Sequence, residues 1–495
     1  MSPLDLIPLL PIIAPAATAV AILLIIGFHP FEFPQGGPEH GRRGRRNHAL
    51  AATLSLVGLA VGFVPLCGMS PTASTRVGSL LTLDGYALFF AGLILAASFV
   101  VVLLSHGYLQ RRERQPEEFY VLLLIATAGA VVLATSSHFV SFFLGLEMLT
   151  VSLYTLIAYE RAGRNSIEAG IKYLILAAVS AAFLLFGMAL IYAEFGTMEF
   201  SKIAHGWTEH GGSLLALAGM AMIIVGVGFK LALAPFHMWT PDVYQGAPAP
   251  ATAFLATVSK ASVFAVLLRY IAATGATEAG SLRVVLILIA ILSMFTGNLL
   301  ALMQASVKRI LAYSSIAHSG YLLIALLATR EYAPLAASYY LLAYVVTTLG
   351  AWGVVTALSN KDGDADSLED YRGLAWRRPW LSGVLTAMLF SLAGIPLTAG
   401  FVGKFYLLTA GVAGGMWLLV IMLVVNSAIG LFYYVRIIVA MYSQPRPAGT
   451  EPPPAPRTSP AASAALAGLL FFLIWFGVYP GPLVGLLQSL AGNLR

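Results

Sequence analysis

Apolar residues run along this chain in blocks of eighteen or more, separated by short polar stretches, from one end to the other. A block of that length crosses a bilayer as an α-helix, because each residue advances the helix about 1.5 Å and the hydrocarbon core is about 30 Å thick. The pattern predicts spans near 4–27, 49–68, 83–105, 117–135, 138–160, 168–194, 213–239, 251–274, 281–303, 309–329, 333–358, 380–412, 416–443 and 462–490, about fourteen helices. The chain therefore reads as an all-α membrane protein. The stretch around Lys230 and the one from Trp380 to Val412 hold Pro or Gly inside them and are expected to be broken helices.

Composition agrees with this class. The 495 residues are 59% hydrophobic and only 10% charged. The formal charge of +6 does not mark a nucleic-acid face, because the basic residues sit in short loops. Arg42, Arg43, Arg45 and Arg46 follow the first span and Arg111, Arg112 and Arg114 the third. The same side collects Arg161, Arg164, Lys308, Arg309, Lys361, Arg372, Arg377, Arg378, Arg446 and Arg457. Opposite loops offer only Arg76, Lys202, Arg283 and Arg330, with Arg495 at the terminus. The positive-inside bias then places both termini in the periplasm or its equivalent. The first apolar run lacks a basic leader and is read as a retained span. A single cysteine, Cys67, excludes an iron–sulfur cluster held within this chain and an internal disulfide. No glycine-rich phosphate loop is present in a strand–helix setting. Residues 28–48 and 445–460 read as polar linkers, and 360–378 as a charged cytoplasmic loop.

The charges inside the spans bear on chemistry. One at mid-bilayer costs about 2.5–3.5 kcal/mol on insertion scales and is a functional hypothesis by default. Six basic residues lie outside the loops: Lys172, Lys230, Lys260, Arg269, Lys404 and Arg436. Arg269 and Arg436 fall toward span ends, where long side chains snorkel to the headgroups. Lys172 is a few residues inside its span, so snorkelling and function are both open. Lys230, Lys260 and Lys404 lie too deep for escape. Pro235 follows Lys230 by five residues and cannot bond the Leu231 carbonyl, so an unpaired carbonyl beside the ammonium is expected. Glu147 is the buried acid able to pair with Lys230. Burial disfavours an ammonium and a nearby carboxylate favours it, so varying their separation would make Lys230 hold or release a proton. His318, among small Ser and Gly neighbours, suits either hydrogen-bonded helix packing or a relay between lysines. His237 suits a channel mouth and His138 the interface, and no histidine spacing suggests a haem.

An internal repeat organises these charges. Residues 117–274 form a first five-helix unit broken at Pro235, and 281–443 a second, broken at Gly394–Pro396 and followed by Lys404. Five is odd, so consecutive units are inverted in the membrane. Residues 1–116 precede them as a three-helix region, and 444–495 hold the proline-rich linker and the last helix.

Four stretches resemble, in order, the antiporter-like subunits of respiratory complex I, the proton-pumping NADH:quinone oxidoreductase: GLEMLTVSLY, PFHMWTPDVYQGAPAPATAFLATVSK, KRILAYSSIAHSGY and GIPLTAGFVGKFY. The resemblance covers nearly the whole chain. WTPDVYQGAP is less like the family's L and M members; Lys404 stands where M has a glutamate, and the chain leaves no room for the lateral helix of L. The resemblance implies the inverted repeats and a proton-transfer set of Glu147, Lys230, Lys260 and Lys404 linked by His318, with Lys172 a further candidate. It also implies no redox centre in this chain, with NADH, FMN, iron–sulfur clusters and quinone in partner subunits. The expected neighbours are the antiporter-like subunit M, small membrane subunits and lipid. Rival readings are an Mrp-type sodium/proton antiporter subunit, a passive scaffold, and the related subunit of a photosynthetic plastoquinone-reducing complex. Reporter fusions in the 28–48, 360–378 and 445–460 loops are expected to read cytoplasmic. A periplasmic readout from 360–378 would refute the span assignment.

Overall fold

The computed structural model describes residues 7–28, 38–68, 74–112, 116–160, 163–210, 212–276, 280–361, 363–444 and 458–491. Helices α1 (Leu10–Phe28), α2 (Pro38–Gly62) and the short α3 (Val64–Gly68) lead to a hairpin of β1 (Thr75–Val77) and β2 (Leu81–Leu83), with Thr75 opposite Leu83. Then come α4 (Gly85–Arg112), α5 (Glu117–Thr135), α6 (Phe139–Ile157), α7 (Arg164–Phe195) and an amphipathic α8 (Phe200–His210). Next are α9 (Leu214–Lys230), α10 (Trp239–Gly246), α11 (Ala249–Phe254) and α12 (Lys260–Thr274), the last two joined through a π-helical turn, Leu255–Ser259. After α13 (Gly280–Leu302), α14 (Val307–Leu327) and α15 (Ala333–Leu358) come two single turns, α16 (Leu368–Tyr371) and α17 (Leu374–Arg377). The chain closes with α18 (Pro379–Ala393), α19 (Ala399–Ala413), α20 (Trp417–Tyr442), α21 (Pro460–Val478) and α22 (Gly481–Ala491).

Among the described residues, 12 helices are long and apolar enough to cross a membrane. Both expected breaks are present, since α9 stops at Lys230 and α18 is separated from α19. A third was not anticipated. The block read as one span over 462–490 divides at Tyr479–Pro480, where the proline lacks the N–H a continuing helix needs. Nor was α8 anticipated, and α2 begins at Pro38, inside the stretch read as linker. Residues 445–457 of the second linker lie outside the described residues, as do Arg114, Arg161, Arg446, Arg457 and Arg495.

Burial is graded from centre to rim. The segment Ala249–Thr274 and α14 are buried along their apolar length and α15 nearly so, whereas α7, α20 and α21 expose most of theirs. Lipid tails are as apolar as leucine, so close backbone approach rather than hydrophobic burial holds such helices together. Glycines provide that approach. A Cβ on Gly145 of α6 would stand 3.0 Å from the Gly129 carbonyl oxygen and the Leu133 amide of α5. One on Gly187 of α7 would meet the Gly219 carbonyl of α9 at 2.7 Å.

Two isolated bridges occupy matching places. His138, just before α6, pairs with Glu199 after α7, and Ser306, just before α14, pairs with Ser367 after α15. The helix ends at the two breaks also match. At α9, the Ala232 amide bonds the Phe229 carbonyl and the Leu233 amide that of Gly228. At α18, Gly394 bonds Ser391 and Ile395 bonds Phe390 in the same pattern, a Schellman cap each time. The capping residue must be left-handed, and Ala232 takes φ 58° and Gly394 φ 86°. Ala232 and Leu397 are the two non-glycine residues with positive φ among the described residues, one in each break.

Arg269 departs from expectation. It does not snorkel; its guanidinium makes two bonds to Asp84, at 2.7 and 2.8 Å, and the residue is buried. Asp84 also accepts the Ala87 amide at the start of α4, so this pair ties α4 to α12.

The glycine crossings give a test. Gly145→Ala is expected to lower the thermal unfolding midpoint of the solubilised protein through about 1–3 kcal/mol of overpacking, because the facing atoms are backbone. Gly383→Ala in α18, where a Cβ meets nothing within 4 Å, is expected to be neutral or mildly stabilising. Equal effects would contradict the packing account.

Candidate functional site

The three deep lysines are 2–7% exposed, and each sits where the α-helix is interrupted. Lys230 is the last residue of α9, Lys260 follows the π-helical turn, and Lys404 faces the end of α18.

Lys230 donates to the Thr150 hydroxyl at 2.6 Å and to the Tyr173 hydroxyl at 3.4 Å, with the Tyr173 ring 5.2 Å away. The carbonyl expected beside it does not serve it. The helix turns out at Ala232, before Pro235, and Lys230 bonds the two hydroxyls rather than the Leu231 carbonyl. Glu147 lies one turn before Thr150 on α6, and its charge reaches Lys230. The two make no direct ion pair among the described residues, and Glu147 Oε1 is buried without a hydrogen-bond partner. Thr150, not Glu147, holds the ammonium here.

Lys260 uses all three of its donors on α14: the Ser315 carbonyl at 3.0 Å, the Ser315 hydroxyl at 2.6 Å and the Ser319 hydroxyl at 3.0 Å. His318 shares that helix. Its Nδ1 is 2.6 Å from the Tyr340 hydroxyl and its Nε2 3.3 Å from that of Tyr434, and the charges of both Lys260 and Lys404 reach it. Lys404 donates to the Leu392 and Ala393 carbonyls at 3.0 and 2.9 Å and lies 5.3 Å from the Tyr321 ring. The broken-helix carbonyl site expected at Lys230 thus occurs at the second break, where Lys404 reaches back from α19.

The remaining buried cations are built differently. Lys308, read from sequence as a loop charge, is buried and donates to Asp364 at 2.7 Å and to the Ala247 carbonyl at 2.8 Å. Arg112 reaches Glu160 at 2.6 Å and Asp364 at 2.9 Å. Lys172 contacts Asp242 and Glu168, each at 2.8 Å, at a half-exposed position, and Arg309 reaches the other oxygen of Asp242 at 2.8 Å. Arg436 donates to the carbonyls of Leu302 and Gln304 at the end of α13 rather than snorkelling. Among the described residues, then, the buried Lys308, Arg112 and Arg269 each face a carboxylate. Lys230, Lys260 and Lys404 hydrogen-bond only to neutral oxygens, and of the three Lys230 also has a carboxylate, Glu147, within electrostatic reach.

That difference decides the chemistry. An amine keeps two N–H bonds after losing a proton, so Lys230 and Lys404 can retain both partners when neutral. A lysine bound to a carboxylate loses the ion pair instead. No group of three or more His, Cys, Asp or Glu that could hold a metal occurs among the described residues. His138 caps α6, accepting the Val140 amide at 3.1 Å. The sequence reading missed Thr150, Tyr173, Tyr340, Tyr344 and the Asp364 cluster. It could have found Ser315 and Ser319, which share a helix face with His318 through their three- and four-residue spacing.

Residues 136–430, which hold every candidate from Glu147 to Lys404, match the family described as NADH:quinone oxidoreductase/Mrp antiporter, TM. The class is an antiporter-like membrane subunit. The NADH-quinone oxidoreductase subunit N of Ectopseudomonas mendocina is 46% identical over 98% of this chain and 96% of its own length. That of Nitrosospira multiformis is 50% identical over 89% of this chain and 90% of its own. A chain of respiratory complex I from Thermus thermophilus, solved with bound aureothin, is similar at TM-score 0.80 and 32% identity, covering 97% of this chain and 99% of that one. The chain belongs to the NADH-quinone oxidoreductase subunit N family.

Asp364 offers a pH test outside the spans. Burial alone would raise its pKa, but Lys308 and Arg112 outweigh burial and hold it below the ordinary value. A depressed carboxylate adds stability that is present above its unfolded pKa, about 3.9, and is lost as pH falls through the lower folded value. Asp364→Asn is expected to cost about 3–5 kcal/mol at neutral pH, since it strands the buried Lys308 charge, and progressively less below about pH 4. Thermal unfolding between pH 7 and pH 3 checks this; a pH-independent difference would contradict it.

Proposed function

We propose that this chain carries protons across the membrane as an antiporter-like membrane-arm subunit of an NADH-quinone oxidoreductase, with electron transfer confined to other subunits. The observation that carries the reading is the contrast among buried cations, because a lysine hydrogen-bonded to neutral oxygens can lose a proton without breaking a direct ion pair. Membership of the subunit N family supports it and disfavours an Mrp-type antiporter.

In this reading Glu147 stabilises the loaded Lys230, and movement of Glu147 relative to α9 releases the proton inward. Lys260, His318 and Lys404 carry it on, with tyrosine and serine hydroxyls between them. Lys172, with Asp242 and Arg309, forms a charged mouth beside the first break. Fourteen spans, three before and one after two inverted five-helix units at 117–274 and 281–443, follow from the same reading. The matching bridges and helix caps support it. Inversion puts the His138 bridge on the periplasmic side and the Ser306 bridge on the cytoplasmic side, with both termini periplasmic. The neighbours are an M-type subunit and the small membrane subunits.

Glu147→Gln and Lys230→Arg separate loading from release. Both are expected to lower NADH-driven proton pumping by assembled complex roughly tenfold or more. Glu147→Gln weakens loading, so lower pH partly rescues it. Lys230→Arg keeps its charge but cannot release it, because a guanidinium stays protonated above about pH 12, so acid does not help. Pumping by Lys230→Arg at the wild-type rate would remove Lys230 from the path.

A further inference from the structure

The partners of Lys230 and Lys260 do not meet. Lys230 bonds Thr150 and Tyr173; Lys260 bonds Ser315 and Ser319; no residue is common to both sets. One buried side chain lies on a helix that packs against members of both sets. Tyr244, in the middle of α10, is fully buried, and α10 packs against both α7, which carries Tyr173, and α14, which carries Ser315. Its ring is fixed between Trp239 and Trp352, with centroids 6.2 and 5.9 Å away at steep angles. Its hydroxyl lies beside Ser315 and within electrostatic reach of Tyr173 and Tyr344, and no well-formed hydrogen bond fixes its direction. Ser315 in turn contacts Lys260 and the Tyr344 hydroxyl, each at 2.6 Å.

A buried hydroxyl without a partner is costly, and it persists where the surroundings hold it. Here the aromatic walls fix the ring while the O–H bond remains free to rotate. It can turn toward Ser315 or away from it, and it has one proton to give.

We propose that the Tyr244 hydroxyl is the switchable link that passes a proton from the Lys230 site to the Lys260 site. The inference rests on the proton-carrying function proposed above. The transfer balances. Lys230 gives a proton to the Tyr173 oxygen as Tyr173 gives its own to the Tyr244 oxygen. Tyr244 gives its proton to Ser315, and Ser315 gives its own to a neutral Lys260. Each O–H broken is replaced by one formed, every hydroxyl ends neutral, and Lys230 becomes an amine while Lys260 becomes an ammonium. The hydroxyls must then rotate back before a second proton can pass.

The test uses assembled complex in proteoliposomes, with NADH-driven proton pumping as the readout. Tyr244→Phe keeps the ring between Trp239 and Trp352 and removes only the hydroxyl; pumping is expected to fall roughly tenfold. Tyr270→Phe is the control. Tyr270 in α12 is also buried with an unpartnered hydroxyl, but it packs on Phe139 and Phe200, away from the lysines, and its variant is expected to pump like wild type. An equal loss in both would make the effect one of packing and overturn the proposal. Wild-type pumping by Tyr244→Phe alongside a defective Lys260→Ala would overturn the link and leave the lysine path standing. Wild-type pumping by Lys260→Ala as well would overturn the path itself. Should Tyr244→Phe fail to assemble, Tyr173→Phe cuts the adjoining step: a comparable loss supports the link, and wild-type pumping overturns it.

Discussion

An ammonium inside a bilayer persists only while its donors are satisfied, and the architecture of this chain follows from satisfying three of them without an acid. Hydroxyls and backbone carbonyls can do this at short range, but only where water and lipid are kept away. Lys260 finds its partners on α14, buried along its apolar length, and Lys230 finds Thr150 and Tyr173 at buried positions of the more exposed α6 and α7. Where the fold needs a permanently charged tie it uses a carboxylate, as at Arg269–Asp84 and Lys308–Asp364. Acid-paired cations tie helices together, whereas the three lysines on neutral oxygens are those to which the proposed proton transfer is assigned.

Backbone irregularity is the second half of the arrangement. A continuous α-helix consumes its own carbonyls and presents side chains at fixed angles, which leaves little freedom around a lysine. Ending α9 at Lys230, inserting a π-helical turn before Lys260 and stopping α18 opposite Lys404 each relax that constraint. The two breaks share their capping geometry but use it differently. In the first, the lysine is the last residue of the capped helix and turns to another helix for its partner. In the second, it approaches the capped end from outside and binds the exposed carbonyls.

Much of this was legible in the sequence, and the rest fails for identifiable reasons. Apolar block length gives the spans because bilayer thickness sets them, and Pro235 and Gly394–Pro396 mark the breaks because they cannot continue a helix. Depth alone marked Lys230, Lys260 and Lys404. Partners were not legible: Thr150 lies 80 residues from Lys230, and Ser315 lies 55 from Lys260. Arg269 was misjudged on similar grounds, since its position near a span end suggested snorkelling while Asp84, 185 residues away, was closing on it. The carbonyl expected at Pro235 was misplaced because the helix stops several residues before the proline, at a left-handed alanine that no single-residue preference would suggest.

The central claim is that protons pass through the interior of this chain by way of lysines held on neutral oxygens. Lys260 is the most completely bonded of them and lies in sequence between the two breaks. The most direct measurement is the number of protons moved per NADH oxidised by reconstituted complex carrying Lys260→Met, which keeps the length of the side chain and removes the titratable nitrogen. The account predicts a lower ratio, or a joint loss of pumping and turnover, in fully assembled complex. An unchanged ratio at wild-type turnover would contradict it.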